Sequence, residues 1–241
     1  MSDADAPLVE LIGVRKDYAA SRPLRIRHLS LRRGDRIVLM GLDAGGAEVF
    51  VHLITGAALA DEGDVRIAGK DTRAIATDTE WLASLDRFGI VTDRAVLIDK
   101  LPIAANLALP LTVAIDPMSP ETRSQVDRLA AEAGLAANRL DQPASTLSTD
   151  ERVRVHLARA LALNPALLIL ERPTAGIDDR EHARALGDTL RALSATRELG
   201  WIALTDDDAF ARASAGTRLK LRPETGELVG DGFWKGLLKR R

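Results

Sequence analysis

The stretch Gly41-Leu42-Asp43-Ala44-Gly45-Gly46-Ala47-Glu48 has residue types and a spacing that point to chemistry. Gly41 and Gly46 stand at the distance used by phosphate-binding loops, where backbone N–H groups and a helix N-terminus cradle an anion. That chemistry also requires a lysine after the second glycine and then a hydroxyl for Mg2+. Here those positions hold Ala47 and Glu48. The segment therefore has the scaffold of a nucleotide site without its charge.

The flanks supply what such a loop needs. Asp35-Arg36-Ile37-Val38-Leu39-Met40 reads as a short strand, and Val49-Phe50-Val51-His52-Leu53-Ile54 as a buried helix ended at Gly56. Strands are also expected at Leu8–Val14, Leu24–Leu31, Val65–Ala68, Phe88–Val91 and Leu167–Leu170, with another at Gly200–Thr205. The continuous apolar run Leu167-Leu168-Ile169-Leu170 suits a strand buried on both faces. From Thr92 to about Leu163 the chain becomes rich in alanine and leucine and reads as helix broken at Pro102, Pro110 and Pro117 to Pro120. Within it a helix runs from Ser119 or Glu121 to Ala133, and another from about Ser148 to Leu163. Further helices are expected from about Arg180 to Ala195 and from Ala209 to Ala213, and a closing hairpin around Pro223–Gly226. Strands alternating with helices give an α/β sheet, with the middle third as a helical insertion.

Composition narrows the classes. A chain of 241 residues, 46% apolar, can bury a substantial core. A formal charge of −2 gives no global attraction to nucleic acid. The absence of cysteine excludes disulfides and thiolate zinc sites. The first five residues are too acidic for a signal peptide, and no apolar run reaches the roughly 18 residues of a membrane span. His28, His52 and His156 are scattered and read as structural rather than ligating.

The order of landmarks resembles the nucleotide-binding domain of ABC transporters over nearly the whole chain. The match is best from Leu147-Ser148-Thr149-Asp150-Glu151 through Ala158-Arg159-Ala160-Leu161 and Asn164-Pro165. It continues without a gap into Leu167-Leu168-Ile169-Leu170-Glu171-Arg172-Pro173-Thr174-Ala175-Gly176-Ile177-Asp178. The general style, including Asn106–Leu111, is similar to compact cassettes of lipoprotein-releasing, macrolide-export or lipid-trafficking systems. The resemblance implies a P-loop NTPase fold of the ABC cassette type, with an antiparallel β subdomain and a helical subdomain insertion. It divides a single cassette into a core of about residues 1–91 and 164–241 and a helical part of about 92–163.

The resemblance also implies roles, and most are altered. Tyr18 stands where an aromatic stacks on adenine, and Gly41, Gly45 and Gly46 in the phosphate loop. Ala47 replaces the phosphate-binding lysine and Glu48 the Mg2+-binding hydroxyl. Asp93 stands at the Q-loop glutamine. Ser148 of the signature is kept, but Thr149, Asp150 and Glu151 follow it. Glu171 replaces the Walker B aspartate, Arg172 the catalytic glutamate, and Asp206 the switch histidine, while Asp178 of the D-loop is kept. ATP and Mg2+ are thus implied by the family alone, and no catalytic set is intact.

Phosphoryl transfer depends on positioning and charge neutralisation. Each carboxylate placed about 4–5 Å from a triphosphate costs roughly 3–4 kcal/mol at an effective dielectric near 20. Two such terms cancel a micromolar affinity of about 8 kcal/mol. Three arrangements fit the substitutions. Glu48 in the first helical turn stands in for phosphate, with Arg172 as its partner or bridging to Asp206; or Glu48, Glu171, Arg172 and Asp206 are all solvated; or Glu48, Asp93 and Glu171 hold a hard cation.

The function expected is a degenerate, non-hydrolysing structural or regulatory cassette, cytoplasmic and peripheral on the inner face of a membrane. Its implied partners are a membrane-spanning permease and a second cassette, as homodimer or heterodimer, with no nucleic acid. Alternatives are a working or weakly active ATPase, or a stand-alone interaction protein reusing the fold. Asp206-Asp207-Asp208 reads as a solvated turn, and the tail Phe233–Arg241 as a packed or disordered end that could touch a membrane.

Overall fold

The computed structural model describes residues 6–20 and 22–230, so the tail expectation lies outside the described residues. Two sheets carry the molecule. An antiparallel sheet of order β2-β1-β4-β5 is built from β1 (Val9–Lys16), β2 (Leu24–Leu31), β4 (Glu62–Ile67) and β5 (Lys70–Asp71). A second sheet has the order β10-β9-β3-β8-β7-β6. Its strands are β3 (Arg36–Met40), β6 (Phe88–Val91), β7 (Leu167–Glu171), β8 (Gly200–Leu204), β9 (Thr217–Arg222) and β10 (Glu227–Gly230). All its neighbours pair in parallel except the β9–β10 hairpin.

The central strands are apolar on both sides because both sides are covered. Ile37, Leu39, Leu167, Ile169, Ile202 and Leu204 face α1 (Ala44–Ile54) and the antiparallel sheet. Val38, Leu168, Leu170, Trp201 and Ala203 face the helices α3 (Ile103–Ala108), α4 (Pro120–Glu132), α5 (Thr149–Leu161) and α6 (Arg180–Arg197). This period-two division is the pleat of a strand sandwiched between two layers. α2 (Asp78–Leu85) and α7 (Asp208–Ala213) complete the set.

Three local expectations change. Residues 92–102 are not helical. Asn106, fully buried, accepts from the Ile98 N–H at 2.8 Å and donates to the carbonyls of Ile98 (3.1 Å) and Pro102 (3.2 Å). The backbone polar groups of Ile98 and Pro102 are thus satisfied by a side chain instead of a helical ladder. α1 starts at Ala44 rather than Val49, because Asp43 caps it, accepting from the Gly46 N–H at 2.6 Å. Asp207 likewise caps α7 through the Phe210 N–H at 2.9 Å, so the acidic triplet is a helix start rather than a solvated turn.

Candidate functional site

The early start of α1 remakes the phosphate loop. Residues Ala44, Gly45 and Gly46 are wound into the first turn, and Ala47 N–H donates to the Asp43 carbonyl at 2.9 Å. The N–H groups of Gly46 and Ala47, which a loop would turn towards an anion, both have Asp43 as acceptor. Gly41, at φ +87°, donates its N–H to Asp206 Oδ1 at 2.8 Å. A side chain there would strike the Leu221 carbonyl, its Cβ being only 2.9 Å away, so the backbone requires glycine. Asp206, at the switch position, therefore serves as an internal anion for the loop.

Tyr18 lies over the same turn. Its hydroxyl donates to Asp43 Oδ1 at 3.3 Å, and Cβ atoms added at Gly45 or Gly46 would stand 3.1–3.2 Å from its ring and hydroxyl. Burial, then the charge and hydrogen bond of Asp43, push the phenol pKa up. The ring faces the glycines and covers the helix start. Ala47 is fully buried in the apolar layer with Phe50 and Leu53. The position of the missing lysine has become core.

Glu48 is the fifth residue of α1, so it lies beyond the first turn, and its expected partner is wrong. Arg94 holds it: Nη1 donates to Glu48 Oε1, and Nη2 donates to Glu171 Oε2 at 2.6 Å. Glu171 is buried at 5% exposure, at the end of β7. The guanidinium fork satisfies two carboxylates from different elements, which a lysine could not do with fixed geometry. Arg172 makes no ion pair or side-chain hydrogen bond among the described residues. Its φ of +47° turns the chain after β7 and leaves the side chain exposed. The arginine assignment moves from Arg172 to Arg94.

The three-carboxylate metal alternative is not assembled. Glu48 and Glu171 share a guanidinium, Asp93 is exposed, and no group of three ligating side chains converges among the described residues. Asp93 instead borders a cavity of about 120 Å3 with Thr92, Arg152, His156 and Glu171. Burial, then the charges of Arg159 and Arg152, hold the His156 imidazole down to about 4, with Asp93 opposing weakly.

The signature region is also closed internally. Ser148 Oγ donates to Asp150 Oδ1 at 2.7 Å, and Ser148 N–H to Glu151 Oε2 at 3.0 Å. Arg139 clamps Glu151 through two contacts at 2.8 and 2.9 Å and lowers its carboxyl pKa. Asp178 is exposed in the turn before α6.

Arg94 and the capping role of Asp43 are what sequence reasoning missed. A signal was available. Arg94 is the one Lys or Arg between Arg87 and Lys100, and it directly follows the Q-loop position.

Comparison with known proteins agrees with this architecture. A family model described as "ABC transporter" matches residues 24–175. The lipoprotein-releasing system ATP-binding protein LolD of Pseudomonas syringae pv. tomato is 31% identical over 201 residues, covering 83% of this chain and 86% of its own. The macrolide export ATP-binding/permease protein MacB 1 of Aeromonas hydrophila subsp. hydrophila is 27% identical, over 75% of this chain and 28% of its own. In fold, the dimeric ATP-binding cassette MJ0796 bound to ADP and Pi matches with a TM-score of 0.74 at 24% identity, covering 93% of this chain and 100% of that one. With a family match over more than half its length and the cassette architecture intact around an altered loop, the chain belongs to the ABC transporter ATP-binding family.

Proposed function

We propose that this member of the family is a non-hydrolysing cassette, a structural or regulatory subunit of a transport complex. The observation that carries the reading is the Arg94 guanidinium held between Glu48 and Glu171, two of the three residues at metal-contacting positions of the family. Asp206 on Gly41 and Asp43 on Gly46 support it by taking the N–H groups of the loop. A triphosphate entering this site meets four carboxylates and no lysine. Its attacking water finds no carboxylate at position 172, where an arginine stands.

In this reading, the chain works on the cytoplasmic side of a membrane beside a permease and a second cassette. The names of its relatives support that setting: LolD is an ATP-binding protein of a release system, and MacB 1 joins cassette and permease. No helix of the described residues is long and apolar enough to cross a membrane. Residues 92–163 form the part that docks it, on the core of 1–91 and 164–241.

Phosphate release from Mg·ATP by the purified chain tests the reading. The chain is expected to add nothing to the blank. Magnesium-dependent turnover above about 0.1 s−1, within a decade of ordinary enzymes, overturns the reading.

A further inference from the structure

The segment between β6 and α3 joins the parallel sheet to the helical layer. Its far half is built into that layer. Arg159 Nη1 donates to the Val96 carbonyl at 2.9 Å, Ser145 N–H to the Asp99 carbonyl at 3.0 Å, and Ala144 N–H to the Leu101 carbonyl at 2.9 Å. Asn106 holds Ile98 and Pro102 from inside. The near half, residues 92–95, has only local backbone bonds of its own. Thr92 accepts from the N–H groups of Arg94 and Ala95. Among the described residues, the hydrogen-bonded side-chain ties from this half to the sheet and to α1 are those of Arg94.

We propose that Arg94 is a built-in strut: its bridge to Glu48 on α1 and Glu171 on β7 fixes residues 92–95 against the sheet with no ligand bound. The strut is closed by default. Withdrawing the guanidinium leaves two neighbouring carboxylates facing each other, one of them buried, and a buried unpaired charge opposes the opening. No switch is needed to set it. The proposal rests on the reading that nucleotide does not occupy the loop, since a bound triphosphate with its metal would compete for the same carboxylates.

Hydrogen exchange of the full chain, read by mass spectrometry with and without about 1 mM Mg·ATP, separates the two ideas. In the wild type, peptides covering 92–95 are expected to be equally protected in both conditions. Arg94→Gln, without nucleotide, is expected to exchange roughly tenfold faster there, while β8 stays unchanged. Arg94→Lys, which can serve one carboxylate at a time, gives an intermediate rate and decides the matter if Arg94→Gln does not fold. Exchange in 92–95 within about twofold of wild type in the folded variants overturns the strut. Protection of the wild-type segment that rises with Mg·ATP overturns the nucleotide-free reading instead, and leaves the comparison without nucleotide to judge Arg94.

Discussion

Ala47→Lys, the substitution that rewrites the loop towards a phosphate-binding pattern, is expected to destabilise the protein by about 3–5 kcal/mol and to confer no ATP binding. Ala47 is fully buried and points into the layer formed with Phe50, Leu53 and the antiparallel sheet. A lysine there adds three carbons and an ammonium to a filled core; the overpacking alone costs about 1–3 kcal/mol, and the charge enters an apolar layer. One escape is to unwind the first turn of α1 and swing the side chain out. That route forfeits the Asp43 cap, worth about 0.5–2 kcal/mol, together with the helical bonds of the turn. Urea denaturation measures the loss. Wild-type stability combined with acquired ATP binding would mean that the loop still holds its phosphate-binding shape.

The second large effect is at Arg94. Arg94→Met is expected to cost about 2–4 kcal/mol, because Glu171 stays buried with its charge unpaired. The estimate sits below the full penalty for a buried pair since Arg94 itself is 40% exposed and water can partly follow it out. Adding Glu171→Gln should return most of the loss, as the amide needs no counter-charge. The double-mutant cycle therefore shows a coupling of more than about 1 kcal/mol between these positions. Independent effects of the two substitutions would contradict the bridge.

Much of the fold was legible because it rests on short-range pattern. Leu167–Leu170 and Gly200–Leu204 are apolar without interruption, and only a doubly covered strand needs that. Ser119 before Pro120 marks the start of α4, and its hydroxyl does accept the Thr122 N–H at 3.2 Å. The altered residues of the site were also legible, since they lie in frame with the family pattern. Their new contacts were not. Arg94 reaches partners 46 and 77 residues away, and matching family positions one by one favours Arg172, which stands at the catalytic-glutamate position beside Glu171. Backbone direction decides between them: Arg172 turns outward at φ +47°, whereas Arg94 approaches from the neighbouring strand end. The glycine spacing of the loop misled in the opposite way. It fits an open turn, but Asp43 supplies a cap, and alanines at 44 and 47 favour the helix that the cap begins.

The central claim is that an internal guanidinium and four carboxylates have closed the phosphate site. Equilibrium dialysis of the purified chain against labelled ATP with Mg2+ tests it most directly. No saturable binding is expected up to about 1 mM, an affinity weaker than about 4 kcal/mol. Saturable, magnesium-dependent binding in the micromolar range would contradict it.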